Sequence, residues 1–423
     1  MNNPALQNAL REYDRVRDTY IDQLRAKGVK FAEPGSSDAR CIELREELAR
    51  RGATFRNAGA SIVTGWLSPA CVECTGNQGS ETFSTTLKCH RDCYFCFNHN
   101  LSNYQDFFDN GCPWEEELTA MYERCGGDLA ALAVTGGEPL LSLEGTIQLL
   151  ERARELFPKA HKRMYTSGDL LTRESAARLR DAGLQEIRFS VKQDDPADRQ
   201  ELVLQNMAMA TEYFDQVMVE MPIIPGTKER MVELLHRFAE AGIAGMNLLE
   251  FCFPCHNWEE FDRRGFVVRN PPYPVMYDYS YSGALPIAGS EELCLELMLY
   301  GLDQELPFGM HYCSLENKHR SEMRQMNECA AKAHPAFQFD EGDFFLKTAK
   351  VFGPDVPPAR SALAAAGCQT MLEDPDEQSL AFPPSYLPAL RGLDVQPASC
   401  FCVLATDQDG GGRYITEVGL ELL

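Results

Sequence analysis

The sequence predicts an α/β fold, a partial (βα)6 barrel with an N-terminal helical extension and a C-terminal α+β extension. Two observations carry this. Between residues 82 and 251 six short apolar runs alternate with helix-length amphipathic segments, the rhythm of βαβ units and a parallel sheet. The intervening segments carry helix punctuation: Pro113 opens one, and Gly126, Gly183 and Gly242 each close one. Six units are fewer than the eight of a closed barrel, so the barrel is expected to be partial. A chain of 423 residues, 44% of them apolar, is long enough for this domain and an extension at each end.

In chain order, Leu6, Leu10, Tyr13, Val16, Tyr20 and Leu24 recur every three or four positions, which predicts an amphipathic helix over residues 5–27. After the break at Pro34 and Gly35, Cys41, Leu44 and Leu48 mark a second helix that stops at Gly52. The six strand candidates are 82–87, 129–134, 163–166, 186–191, 217–222 and 245–251. Past residue 252, Pro254, Pro271, Pro272 and Pro274 mark an irregular stretch, followed by a helix near 291–300. Strand-like runs lie at 344–352, 400–405 and 414–418, the last two joined by a turn at Asp409 to Gly412. The expected segments are 1–78, 79–254 and 255–423.

Lys and Arg number 40 against 63 Asp and Glu, a net charge of −23. Such a surface repels phosphate backbones and anionic lipid, so neither a nucleic acid nor a membrane is the expected partner. No run of 18 apolar residues and no secretory leader is present, and the expected location is the cytoplasm. Sixteen cysteines in a reducing compartment point to metal binding or catalysis rather than disulfides.

The sharpest motif is Cys89, Cys93 and Cys96, directly after the first barrel strand. Three thiolates at these spacings suit three corners of a [4Fe–4S] cube, leaving the fourth iron open to chemistry. For the triplet alone, a zinc knuckle or plain buried thiols is the alternative. Gly136, Gly137, Glu138 and Pro139 follow the second strand. Adjacent glycines permit close approach by a ligand, and a carboxylate accepts from an ammonium group.

Together the two motifs resemble the radical S-adenosylmethionine (SAM) superfamily. Its CxxxCxΦC signature is matched by Cys89, Cys93, Phe95 and Cys96, and its GGEP motif by Gly136 to Pro139. The resemblance implies a [4Fe–4S] cluster whose open iron is chelated by the methionyl group of SAM. It further implies reductive cleavage of SAM to a 5′-deoxyadenosyl radical, with Phe95 near the adenine and the glycine–glutamate motif at the methionyl amine. The nearest branch in motifs is that of the glycyl-radical-enzyme activating enzymes. Ser167 lies in the counterpart of that branch's Thr-Asn-Gly. Ser190 and Lys192 stand in the counterpart of its Asp-Leu-Lys, where the family's Asp meets the ribose and its Lys the SAM carboxylate. Ser190 leaves only an uncharged ribose hydrogen bond. Ile224 matches a position that packs on adenine, while Cys252 stands where that branch has His. A flavodoxin- or ferredoxin-type reductant is implied as partner. The regions flanking Cys71 and His311 are loosely similar to uncharacterised radical SAM proteins.

Other residues leave their readings open. Cys71 and Cys74, with Cys400 and Cys402, are either an auxiliary zinc or iron–sulfur site or two pairs of buried thiols. Cys252 and Cys255, at the active-site edge, either ligate an auxiliary cluster with Cys313, or supply one cysteine, Cys252 as the catalytic candidate, that donates a hydrogen atom or binds substrate, or form a rigid turn with core thiols. His311 is either an acid–base or hydrogen-donating group or a satisfied core residue. Lys318, His319 and Arg320 read as a solvated helix face, with contact to an anionic substrate as the alternative. Tyr273, Tyr277, Tyr279 and Tyr281 either line a pocket or pack a loop. The expected enzyme abstracts hydrogen from a peptide, a protein segment or a small polar substrate. The alternatives are an iron–sulfur electron-transfer protein and a zinc-stabilised interaction scaffold.

Overall fold

A computed structural model describes residues 3–74, 79–273, 284–406 and 412–423. The chain divides into two compact units. Phe31–Asn270 and Ser282–Leu315 form one; Met1–Lys30, Pro271–Tyr281 and Glu316–Leu423 form the other.

The first unit is built on a nine-stranded sheet. In chain order its strands begin with β1 (Thr54–Arg56), β2 (Ser61–Thr64), β3 (Ser80–Ser84), β4 (Ala131–Thr135) and β5 (His161–Thr166). There follow β6 (Glu186–Phe189), β7 (Gln216–Ile223), β8 (Gly245–Glu250), the two-stranded pair β9 (Cys252–Phe253) and β10 (Leu285–Pro286), and β11 (Gly309–Cys313). The spatial order is β1-β2-β11-β8-β7-β6-β5-β4-β3. The run from β3 to β8 is parallel throughout, and β11 extends it in parallel beside β8. Then β2 pairs with β11 in the antiparallel sense, and β1 with β2.

Alternation along the strands separates two faces. Leu132, Val134, Met164, Ile187, Phe189, Val219, Met246, Leu248, Met310 and Tyr312 belong to one apolar core with the covering helices. These include Leu143–Leu156, Arg173–Ala182, Ala197–Ala210, Lys228–Ala241 and Ser290–Asp303. The opposite, inner face carries Arg163, Tyr165, Glu186, Arg188, Glu220, Asn247 and His311. Helix ends follow the expected chemistry: Gly126, Gly183 and Gly242 take the left-handed conformation at helix C-termini, and Pro113 immediately precedes Trp114–Cys125.

The second unit holds helix Pro4–Ala26 and a sheet containing β13 (Leu346–Phe352), after the short β12 (Gln338–Phe339), with β14 (Leu372–Asp374), β15 (Ser379–Phe382), β16 (Ala398–Thr406) and β17 (Arg413–Leu422). Leu6 and Ala9 of the helix pack with Phe352 and Ala398 of that sheet.

Several expectations change. The compact units do not divide at residues 78 and 254, because the first helix clusters with the C-terminal sheet and β11 joins the barrel sheet. A seventh parallel strand was hidden in the region read as accessory, since β11 is short and starts on Gly309. Its Met310 and Tyr312 face the apolar core, leaving His311 on the inner face. The reading of 318–320 as solvated fails: His319 and Arg320 are buried, with Arg320 paired to Glu316 and over the Phe345 ring. Tyr273 is buried, while Tyr277, Tyr279 and Tyr281 and most of the 409–412 turn lie outside the described residues. Among the described residues no helix is long and apolar enough to cross a membrane.

Candidate active site at the carboxyl ends of the strands

The chain leaves β3 at Ser84 and enters the loop of Cys89, Cys93 and Cys96, each partly buried. Burial pushes all three thiols up, and Lys192, from the loop after β6, pulls each the other way. The thiols lie close enough to make one another harder to ionise, Cys89 feeling Cys93 and Cys96 feeling both. Such protons are displaced when iron binds. No three His, Cys, Asp or Glu side chains among the described residues converge on one ion; a cube, which takes one thiolate per iron, does not require it. The donor set fits a [4Fe–4S] cluster.

Backbone packing holds this loop. Gly137 N–H donates to the Thr86 carbonyl at 2.9 Å and Glu138 N–H to the Lys88 carbonyl at 2.8 Å. A Cβ on Gly137 would lie 2.0 Å from the Lys88 oxygen, and one on Gly136, where φ is +107°, 2.5 Å from the Thr86 oxygen. The space that glycine frees here is therefore filled by the cysteine loop itself. Asn98 adds a hydrogen bond to the Gly136 carbonyl at 2.6 Å.

Glu138 is 1% exposed, and its carboxylate is saturated. It accepts from the Thr166 hydroxyl at 2.7 Å, from Ser167 N–H at 2.7 Å, from the Ser167 hydroxyl at 2.6 Å and from Leu140 N–H at 3.2 Å. These bonds join the turn after β4 to the turn after β5. Pro139, buried, opens the short 3₁₀ turn that follows.

A second tie was not visible in the sequence. His90 and Arg91, inside the cysteine loop, reach Asp169 after β5 at 2.9 and 3.2 Å, and Arg91 also pairs with Asp195 after β6. Burial alone would raise Asp169, but the hydrogen bond from His90 and the Arg91 charge hold its carboxyl below the usual carboxylate range. The partners are 78 to 104 residues apart in sequence, so no local pattern announces them.

The remaining family-matched positions stand on the same rim. Ser190 N–H donates to the Thr166 carbonyl at 2.9 Å. Lys192 lies beside Cys93. Ile224 is buried at the end of β7. Phe95 packs edge-on against Phe251, ring centres 5.7 Å apart, just past β8. Cys252 is buried one residue further, and the chain beyond it closes on the cysteine loop. There His256 meets the Cys96 carbonyl at 2.9 Å, and Asn100 donates to the Pro254 carbonyl at 2.6 Å.

His311 lies away from this rim, mid-strand on the inner face in register with Asn247. One ring nitrogen meets Asn247 Oδ1 at 3.0 Å and the other Ser61 Oγ at 2.9 Å. It belongs to a buried polar cluster built around Arg188, which bonds Glu186 and Glu220 and reaches Ser68 at 3.0 Å and Cys71 Sγ at 3.4 Å. Burial opposes ionisation of Cys71, but the Arg188 charge and a hydrogen bond from His311 outweigh it and bring the thiol down to about 6. Cys74, at the end of the same short helix, is exposed. Cys400 and Cys402 pack with Ala330 and Leu346 in an apolar cluster of the other unit, where burial pushes Cys402 up to about 12 and Cys400 up as well. The polar alternates of β5 to β8 were the available sequence signal for the Arg188 cluster.

Glu186 supplies a pH test. Burial would raise it, yet Arg188, His161 and Ser68 bring it down to about 2. A depressed carboxylate contributes stability that is present above its unfolded value and lost as pH falls through the folded one. Stability should fall between about pH 5 and pH 2, by on the order of 3 kcal/mol from this group. Thermal unfolding of Glu186→Gln should show a shallower fall across that window and lower stability at pH 7; equal slopes would refute the assignment.

Residues 83–263 match the model of the radical SAM superfamily. A protein of Methanocaldococcus jannaschii named as a glycyl-radical enzyme activating enzyme is 26% identical over 298 residues, covering 68% of this chain and 74% of its own. Among solved structures, Streptococcus suis SuiB bound to its precursor peptide SuiA is 13% identical with a TM-score of 0.40, covering 64% of this chain and 52% of SuiB. The enzyme anSMEcpe with bound AdoMet and a peptide is 19% identical with a TM-score of 0.31, covering 40% of this chain and 50% of its own. The chain thus spans about half the length of these two solved proteins.

Proposed function

We propose that this chain, whose residues 83–263 match the radical SAM superfamily, is a radical SAM enzyme that cleaves SAM at a [4Fe–4S] cluster held by Cys89, Cys93 and Cys96 and abstracts hydrogen from a peptide, protein or small polar substrate. The cluster, when bound and reduced by a flavodoxin- or ferredoxin-type donor, supplies the electron that breaks the S–C5′ bond and releases methionine.

The observation that carries the reading is the mutual fastening of the cysteine loop and its neighbours. The loop is bonded backbone to backbone onto the Gly136–Glu138 turn and clamped through Arg91 to the loops after β5 and β6. That brings Ser167, Ser190 and Lys192 to the rim where SAM would lie. In this reading Lys192 faces the methionyl carboxylate, Ser190 the ribose, and Phe95 with Ile224 the adenine. Glu138 acts through Thr166 and Ser167, whose positions it sets, since four donors already occupy its carboxylate. The name of the archaeal relative favours a protein substrate. Cys71 is engaged by cationic and amide donors, while Cys400 and Cys402 pack among apolar neighbours and the Cys400 thiol donates to Glu417 at 3.6 Å.

Anaerobic reconstitution followed by SAM and dithionite tests the proposal. Release of 5′-deoxyadenosine with methionine is the expected result. A protein that binds about four irons yet releases none would be an electron carrier instead.

A further inference from the structure

The inner face of the sheet holds two buried guanidinium groups whose situations differ. Arg188 shows what a structurally satisfied one looks like here: Glu186 and Glu220 flank it, and Ser68, Cys71 and Tyr165 accept further bonds. Arg163, on the neighbouring strand β5, is 6% exposed. Its Nη2 reaches the Ser80 hydroxyl at 3.4 Å, while its Nε and Nη1 find no hydrogen-bond partner. No carboxylate pairs with it among the described residues.

Buried donors left unmated are rare in native proteins, and Arg163 holds two of them. The nearby sulfurs of Cys71 and Cys74 favour its charge but do not mate these two donors. Cys71 Sγ already accepts from Arg188 at 3.4 Å and Asn247 at 3.3 Å, and neither Cys71 nor Cys74 takes a hydrogen bond from Arg163 in the structure. In the row Thr82–Ala133–Arg163 across β3, β4 and β5, Thr82 is exposed, and Ala133 offers only a methyl. Tyr165 stands beside the guanidinium, 5.8 Å from ring centre to carbon. Its phenol oxygen accepts from Arg188 at 3.5 Å, leaving its hydrogen to donate.

We propose that Arg163 anchors a subsite on the inner face that takes an oxyanion of the substrate, a carboxylate or a phosphate, with the hydroxyls of Tyr165, Thr82 and Ser80 around it. A guanidinium carries donors only, so an anionic oxygen is the group that satisfies both its charge and its free N–H bonds. Calling the ligand substrate rests on the radical SAM reading; the subsite itself does not.

The test compares the full chain, reconstituted anaerobically, with Arg163→Met, with no SAM present. Melting temperature is followed in chloride, in inorganic phosphate and in glutarate at equal ionic strength. Phosphate or glutarate should raise the wild-type melting temperature by about 3 °C, saturably, as a ligand bound only by the folded state does. Arg163→Met should show no such rise and, in chloride, should melt at or above the wild-type temperature, because two buried unmated donors are gone. A response to phosphate alone assigns a phosphate-bearing ligand, and a response to glutarate a carboxylate. The proposal is overturned if the wild type shows no saturable rise, if the variant shows the same one, or if the variant melts several degrees lower in chloride, as loss of a purely structural arginine would produce. Should the variant not fold, the wild-type titration decides. Since 5′-deoxyadenosine release is read without any of these anions, the subsite and the SAM reading fail independently.

Discussion

Replacing Cys89, Cys93 and Cys96 together by Ala is expected to take bound iron from about four atoms per chain to none and to abolish 5′-deoxyadenosine release. The effect is all-or-none because these thiols are the cluster's protein ligands in the proposed site. The fold should survive, since the three side chains are only partly buried and the loop is held by Gly137, Glu138 and Arg91 instead. Iron and sulfide assays with circular dichroism check both halves. Iron remaining near four atoms in a folded triple variant would show a second cluster and reopen the question of Cys71 and Cys74.

Gly137→Ala should disable the same site without touching a ligand. The added methyl would sit 2.0 Å from the Lys88 oxygen and 2.5 Å from the carbonyl carbons of Leu87 and Lys88, all main-chain atoms that no rotamer change can move aside. Relieving the overlap requires the cysteine loop to lift, which breaks the Gly137–Thr86 and Glu138–Lys88 hydrogen bonds. Overpacking against backbone together with two lost bonds should cost about 3 kcal/mol or more. Iron per chain should fall below half the wild-type value, and the melting temperature should drop. Gly126→Ala is the control. Its position at φ +61° meets nothing within 4 Å, so only the left-handed strain of about 1 kcal/mol is expected. Equal iron retention in both variants would mean that the Gly137 contact does not hold the loop.

Much of the fold was legible because its signals are local. The spacing of Leu6 to Leu24 and the glycines at 126, 183 and 242 report helices through side-chain periodicity and backbone freedom, both properties of a few consecutive residues. The strand β11 escaped because its five residues begin on Gly309 and carry His311. Its identity depends on β8 lying beside it, 64 residues earlier in the chain. The reading of 318–320 as solvated failed for a related reason: charge predicts exposure only where no neighbour supplies a pairing partner, and Glu316 with Phe345 supplies one to Arg320.

At the site the same division holds. The cysteine triplet and the Gly-Gly-Glu-Pro turn could be read directly, since ligand chemistry and close backbone approach both demand fixed residue types at fixed short spacings. The Arg91 clamp, the saturation of Glu138 and the unmated Arg163 could not, because each is a relation between strands that only folding brings together. Residue order alone therefore determined which groups are available for chemistry and which local shapes they occupy. Three-dimensional packing decided which charges are matched and which are left over, because a buried charge is compensated by whatever lies within a few ångströms and not by what precedes it in the chain.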